Sequence, residues 1–123
     1  MFDETEHDSD KRIRSMISRI YTLIRVEQPN MIVFEDVRIL KNTHVTVMLA
    51  EILGAVIGKC VDIGIQYESF APASWRSKHG LQKTGAKREE LKQMSVDKVR
   101  ELYNSDVTDD EADAILIGAA WYL

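Results

Sequence analysis

The sequence predicts an α/β fold in the order helix, strand, helix, strand, helix, helix. A short apolar run, Met31–Val37, is typical of a strand, and a second run, Ile65–Phe70, alternates apolar and polar residues. The segments around these runs place apolar residues three and four positions apart, as amphipathic helices do. Two strands joined by one helix form a βαβ unit, the usual building block of a parallel sheet.

The length of 123 residues is typical of one domain with a buried core. The composition, with 45% hydrophobic and 29% charged residues, is that of a soluble globular protein. The single cysteine, Cys60, lies in an apolar helical pattern and is expected to be a buried thiol, which suits a reducing cytoplasm. No signal peptide is predicted, because the first ten residues are acidic and polar. The apolar run Val45–Ile57 is interrupted by Glu51 and is too short to span a membrane.

The first helix is expected from about Lys11 to Glu27, after a frayed lead-in over residues 1–8. Its apolar residues recur at helical spacing: Ile13, Met16, Ile17, Ile20, Leu23 and Ile24. Pro29 ends the helix. The run Met31–Val37 follows, and its continuous apolar character predicts a strand that is buried on both faces.

The second helix is expected to begin at Asn42 or Thr43, to end near Ile63 before Gly64, and to be largely buried because most of its surface is apolar. One ridge of this helix carries small residues at every fourth position, namely Ala50, Gly54 and Gly58. Such a ridge admits the close approach of another backbone. Tight packing on the sheet and a helix pair across a dimer interface explain the ridge equally well.

The second strand leads into a polar loop, Ala73–Gly85, whose length indicates function or mobility. A third helix is expected from about Ala86 to Tyr103. Thr108 and Glu111 have the spacing of a capping box and begin a last helix through the apolar residues 112–123. The helices carry more apolar surface than two strands can cover, so the sequence predicts that part of a sheet is missing.

The net charge of −4 hides an uneven distribution. Residues 72–100 contain eight Lys or Arg against three acidic residues, whereas residues 1–10 and 104–113 contain five acidic residues each. A basic stretch between two acidic ones suits a phosphate-bearing partner beside a metal site. A scattered, solvated surface explains the composition at least as well.

The candidate chemical groups are acidic. Glu35 lies at the end of the first strand, and ligands of open parallel sheets bind outside the carboxyl ends of the strands. Asp110 and Asp113 are three positions apart at the start of the last helix and share one of its faces. Favourable interaction with the helix dipole accounts for Asp109, Asp110 and Glu111. Asp113 lies further along an apolar helix and needs a partner, for which a divalent cation is one candidate.

Other catalytic and binding motifs are excluded. Neither Gly54–Cys60 nor Gly80–Lys87 contains the Gly-Lys-Ser/Thr sequence of a nucleotide-binding P-loop, although a looser phosphate contact by the second segment remains open. The three histidines have no ligand spacing to one another, and no Ser/His/Asp arrangement is found.

Taken in order, several segments resemble the RuvC family of Holliday-junction resolvases, especially its phage-type members. The matching segments are the strand Ile32–Glu35, the small-residue helix with Asn42 near its start, Pro72–Arg76, Lys87–Lys92 and Asp110–Ile115. The last of them has the family's ending, D-x-x-D-A followed by an apolar residue. The resemblance covers about residues 11–123.

The resemblance implies a ribonuclease-H-like fold and a homodimer that cleaves branched DNA with Mg²⁺ or Mn²⁺. It also implies that Glu35, Asp110 and Asp113 are catalytic carboxylates that bind the metal. The basic residues that would contact the DNA backbone are Arg76, Lys78, Lys83, Lys87 and Arg88. Either Lys87 or Arg88 would lie nearest to the scissile phosphate.

The family opens with a strand that bears a catalytic Asp, and residues 1–10 contain no match to it. Residues 1–123 are therefore predicted to be one N-terminally truncated nuclease domain, impaired by the absence of that Asp. The alternatives are a non-catalytic DNA-binding or oligomerisation domain of the same fold and an unrelated α/β interaction domain. The expected partners are branched DNA and a second copy, which would bind the Met31–Val37 edge or the small-residue ridge. A cytoplasmic location without a membrane partner is expected.

Overall fold

The computed structural model describes residues 4–37 and 41–123, with side chains described from Asp8 onward. In these ranges the elements are α1 (Glu4–Glu27), β1 (Met31–Glu35), α2 (Thr43–Ile63), β2 (Gln66–Phe70), α3 (Pro72–Lys78), α4 (Arg88–Tyr103) and α5 (Asp109–Ala120). The strands β1 and β2 pair in parallel in a two-stranded sheet. The predicted order of elements is confirmed, with α3 as an additional helix.

Contacts along the chain group the residues into two compact units. The first contains the described residues up to Ile32 and those from Val37 to Tyr67, and the second contains Val33–Asp36 and Glu68–Leu123. Assignment of residues 1–123 to a single domain stays a prediction.

The first unit is built from α1 and α2. Its buried apolar residues are Ile24, Ile52, Val56 and Cys60. The hydroxyl of Tyr21 donates a hydrogen bond to the carbonyl oxygen of Ala55 at 3.0 Å and so links the two helices. Cys60 is a free thiol, as expected, and its burial raises its pKa.

Helix α1 begins at Glu4 rather than near Lys11, so the predicted lead-in is wrong over residues 4–8. Acidic residues near a helix N-terminus interact favourably with the helix dipole. In addition, Arg14 Nε lies 2.8 Å from Asp10 Oδ2, one turn earlier on the helix surface. These local interactions support a helix in a segment that lacks an apolar face.

Both predicted ends of α2 are confirmed. The side chain of Asn42 accepts a hydrogen bond from the backbone N–H of Val45, and Gly64 ends the helix in the left-handed region with φ of 78°.

The predicted burial of α2 is wrong. Val47 is 49% exposed and Val61 is 69% exposed. No atom lies within 4 Å of a Cβ built on Gly54 or Gly58, so nothing in the described part of the chain packs on the small-residue ridge. By length and composition α2 could also cross a membrane. The sequence predicted that it could not, because the apolar run Val45–Ile57 is interrupted by Glu51 and is too short, but the helix is longer than this run. The same pattern is found in soluble helices that pack on a partner.

The second unit is organised around a core from α3, α4 and α5. The buried members of this core are Trp75, Leu81, Val99, Ala112, Leu116, Ile117 and Ala120. Val33 of β1 and Phe70 of β2 pack against it. The end of β1 is fixed to β2 because the backbone N–H of Asp36 donates to the carbonyl oxygen of Phe70 at 3.0 Å.

Helices α4 and α5 lie side by side and run in the same direction. Near their N-termini, Lys92 Nζ lies 3.0 Å from Asp109 Oδ2. Near their C-termini, Lys98 and Ala119 line the same cavity. Asn104 ends α4 in the left-handed region with φ of 53°. Residues 104–108 then lead back from the C-terminus of α4 to the N-terminus of α5. Both N-termini therefore lie toward the same end of the unit.

Three further expectations are corrected. β1 ends at Glu35, and its residues are half-buried rather than buried on both faces. The expected loop Ala73–Gly85 begins with the helix α3, which has Pro72 in its first turn, where proline is well tolerated. Helix α4 begins at Arg88 rather than at Ala86. The capping box of Thr108 and Glu111 is confirmed.

Replacing Leu116 with Ala should destabilise the second unit, because Leu116 is fully buried in its core. Substitutions of this type lower the free energy of unfolding by about 2–5 kcal/mol. The neighbouring variant Ile115→Ala is the control, since Ile115 is 37% exposed and its loss should change stability much less. Urea unfolding followed by circular dichroism compares the two, and equal stabilities would contradict this core.

The capping box predicts a pH-dependent contribution to the stability of α5. The backbone N–H and hydroxyl of Thr108 hold the pKa of Glu111 below the ordinary value of 4.5 for a Glu carboxyl. A lowered carboxyl pKa stabilises the fold above the unfolded-state value, and this contribution is lost as the pH falls through the folded-state value. The stability difference between the wild type and Glu111→Ala should therefore be present at neutral pH and shrink below a pH of about 4.5.

Urea unfolding of both proteins across this pH range measures the difference. Asn42→Ala is the control, because this cap of α2 contains no titrating group and the effect of its loss should persist at low pH. A Glu111→Ala difference that grows in acid would contradict the predicted sign.

Candidate active site

Glu35 is the last residue of β1 and is half-buried. The indole Nε1 of Trp75 donates a hydrogen bond to Glu35 Oε2 at 2.9 Å. Trp75 is fully buried in the core of the second unit, so the donor has a fixed position. The strand and α3 together therefore determine where the Glu35 carboxylate lies.

Asp113 lies one turn into α5 and is also half-buried. Its Oδ2 is 3.8 Å from Nη2 of Arg76, with side-chain exposures of 28% for Asp113 and 14% for Arg76. Its Oδ1 is buried and has no hydrogen-bond partner in the described part of the chain. A buried carboxylate oxygen without a donor is unfavourable, so this oxygen is a candidate acceptor for an ordered water or a cation.

Arg76 is held in place from several sides. Its Nη1 lies 3.3 Å from Ser95 Oγ and 3.5 Å from the carbonyl oxygen of Leu91. Its guanidinium carbon lies 4.3 Å from the centroid of the Trp75 ring, a cation–π arrangement. The predicted DNA-contact residue Arg76 thus makes internal contacts, and it places a permanent positive charge beside Asp113.

Asp110 lies in the first turn of α5 and is exposed. Its neighbour Asp109 pairs with Lys92, and the hydrogen bond from Lys92 lowers the pKa of Asp109. In residues 4–37 and 41–123, no group of three or more His, Cys, Asp or Glu side chains is close enough to hold a metal ion. The structure therefore connects Glu35 and Asp113 through α3 but does not gather Asp110 with them into one ligand group.

The remaining predicted DNA contacts differ in how far they are engaged. Lys83 Nζ pairs with Glu90 Oε2 at 2.6 Å and lowers the pKa of that carboxyl. Lys78 Nζ donates to the carbonyl oxygen of Leu123 at 3.1 Å. Lys87 and Arg88, at the start of α4, are exposed and form no salt bridge with the described residues.

No site role was predicted for Trp75, Ser95 or His79. His79 is buried, and its Nε2 lies 2.7 Å from the carbonyl oxygen of Leu116. Ser95 is fully buried beside Arg76. The sequence does contain one feature that could have indicated their burial. Trp75 and His79 follow Pro72 and are four positions apart, so they would share one face of a helix.

Comparisons with known proteins agree with the predicted family. The family model described as crossover junction endodeoxyribonuclease RuvC matches residues 2–120. The solved structure of T. thermophilus RuvC in complex with a Holliday junction substrate is similar, with a TM-score of 0.68 and 18% sequence identity. The similarity covers 89% of this chain and 66% of that one, so this chain spans about two thirds of its length. No curated protein matches.

At this low identity the structural likeness shows the fold, and it confirms the predicted α/β fold of the ribonuclease-H-like, RuvC type. The family model covers nearly the whole sequence, including β1, α3 and the acidic start of α5. On these grounds the chain belongs to the RuvC family of crossover junction endodeoxyribonucleases.

Proposed function

We propose that this protein is a divalent-metal-dependent endonuclease that resolves branched DNA, including Holliday junctions, by phosphodiester hydrolysis. The observation that carries the proposal is the buried Asp113 Oδ1, which has no donor in the described part of the chain and belongs to a carboxylate connected through α3 to Glu35. Membership of the RuvC family supports the same activity.

The residues present fit a divalent cation. Hard cations such as Mg²⁺ and Mn²⁺ prefer carboxylate oxygens, and Asp113 Oδ1 is such an acceptor. We propose Glu35, Asp110 and Asp113 as the metal-binding and catalytic carboxylates. A bound cation would supply Lewis acidity, activating water and stabilising charge on the leaving oxygen.

The basic residues at the start of α4 are proposed to bind the DNA backbone. Lys87 and Arg88 are exposed and have no acidic partner among the described residues, so their charges are available for phosphate. One of the two would neutralise the scissile phosphate. Lys78, Lys83 and Arg76 are proposed as further DNA contacts, although each makes a protein contact in this structure.

We further propose that the protein works as a homodimer in the cytoplasm. The exposed small-residue ridge of α2 supports a helix pair between copies, because no described residue outside this helix lies within 4 Å of a Cβ at Gly54 or Gly58. The Met31–Val37 edge stays the other candidate interface. The free, buried thiol of Cys60 supports the predicted compartment.

The second candidate function is that of a non-catalytic DNA-binding or oligomerisation domain of the same fold. It is favoured by the absence of a three-member metal-ligand group within residues 4–37 and 41–123. Impaired activity of residues 1–123 and a phage-type relationship stay predictions.

Metal titration separates the two candidates. The wild type should bind Mn²⁺, and Glu35→Gln and Asp113→Asn should each weaken binding at least about tenfold, because each removes a charged ligand. Asp97→Asn is the control, since this carboxylate lies on α4 and accepts a hydrogen bond from Gln93. Electron paramagnetic resonance of free Mn²⁺ gives the affinities. Unchanged binding by both site variants would favour the non-catalytic domain.

Binding to a four-way DNA junction tests the proposed DNA surface. Replacing both Lys87 and Arg88 with Ala should weaken binding and reduce the slope of log affinity against log salt by about 1 for each lost phosphate contact. Lys98→Ala is the matched control, because Lys98 lies on the same helix and pairs with Glu101 at 3.8 Å. Fluorescence anisotropy at several salt concentrations provides the slopes. A double variant with the wild-type slope would exclude these residues from the interface.

A further inference from the structure

Two consecutive residues of α3 contact the two candidate carboxylates that come from different elements. Trp75 Nε1 lies 2.9 Å from Glu35 Oε2, at the end of β1. Arg76 Nη2 lies 3.8 Å from Asp113 Oδ2, in α5. Neighbouring residues on a helix have a fixed angular and axial offset, so one turn of α3 determines how the two carboxylates lie relative to each other.

We propose that Trp75 and Arg76 are positioning residues for cation binding by Glu35 and Asp113. Each of them holds one oxygen of its carboxylate, and Asp113 Oδ1 remains available for the cation. This inference rests on the proposed function, since it concerns the same pair of carboxylates.

Glu35 supplies the hydrogen-bond acceptor that the buried indole N–H of Trp75 requires. The indole N–H is a donor only, and leaving it unpaired in a core would be unfavourable. A Phe side chain would fill much of the same volume without that requirement. Trp75 is fully buried, so its indole N–H is shielded from water and depends on Glu35 as its acceptor. Trp121, in contrast, is 44% exposed and provides a control.

Arg76 holds Asp113 by charge rather than by a close hydrogen bond. Ser95 and the Trp75 ring fix its guanidinium, which stays charged because Arg does not lose its proton in proteins. At 3.8 Å it attracts Asp113 Oδ2, while Oδ1 stays buried without a donor from any residue that the structure describes. The fully buried Ser95 therefore supports the site through Arg76.

The variant Trp75→Phe keeps a buried aromatic ring and removes the donor to Glu35. Loss of a hydrogen bond that orients a metal ligand weakens metal affinity by about 10–100-fold. The measurement is Mn²⁺ affinity by electron paramagnetic resonance of free Mn²⁺, which does not depend on activity. Thermal unfolding of the metal-free proteins, followed by circular dichroism, shows whether each variant is folded. Trp121→Phe should bind Mn²⁺ as the wild type does.

Combining Trp75→Phe with Glu35→Gln tests whether Trp75 acts through Glu35. If it does, the two losses in affinity will not add, because the hydrogen bond is already changed in the Glu35 variant. Additive losses would contradict a positioning role for Trp75.

Arg76→Met separates positioning from simple charge. Removing a positive charge near a cation site should strengthen cation binding if charge repulsion is the main effect. A positioning role predicts the opposite, a loss of about tenfold, because Asp113 is no longer held. Stronger Mn²⁺ binding by Arg76→Met would overturn the role assigned to Arg76.

The Mn²⁺ measurements distinguish failure of the positioning role from failure of the proposed function. A wild type that binds no Mn²⁺ would overturn both proposals. A wild type that binds Mn²⁺ while Trp75→Phe binds it equally well would overturn the positioning role alone. If Trp75→Phe does not fold, the Trp121→Phe protein carries Trp75 as its single tryptophan. Mn²⁺ should then quench its fluorescence in proportion to binding, and unchanged fluorescence would overturn the proposal.

Discussion

The hydrogen bond between the buried indole of Trp75 and Glu35 is the interaction on which the candidate site depends. It connects the end of a strand to a short helix inside the core, so the packing of the second unit sets the position of a charged group. Arg76 extends this connection to α5. A site assembled in this way gains its precision from the core rather than from flexible loops.

The acidic residues of α5 differ in whether their carboxylates are paired within the protein. Some acidic residues at the start of α5 already have partners, since Asp109 pairs with Lys92 and Glu111 with the backbone of Thr108. Asp113 has the Arg76 guanidinium 3.8 Å from one oxygen and, among the described residues, no hydrogen-bond partner at the other. The acids that stabilise the start of the helix therefore differ in their contacts from Asp113, although all of them lie within two turns.

The sequence predicted the parts of the structure that follow from local pattern. The positions of the two strands, the cap at Asn42 and the capping box all depend on nearby residues. The need of Asp113 for a partner also follows from its place in an apolar helix. Helix α3 was missed because its seven residues are too few for a clear periodicity. The exposure of α2 was missed because an apolar helix pattern does not identify the surface that covers it.

The shared direction of α4 and α5 has a consequence for the electrostatics of the second unit. Each helix carries a partial positive charge at its N-terminus, and both of these ends face the same way. Lys87 and Arg88 stand at one of them, and the acidic residues of α5 stand at the other. Carboxylates can accumulate at this end because aligned peptide dipoles offset their mutual repulsion.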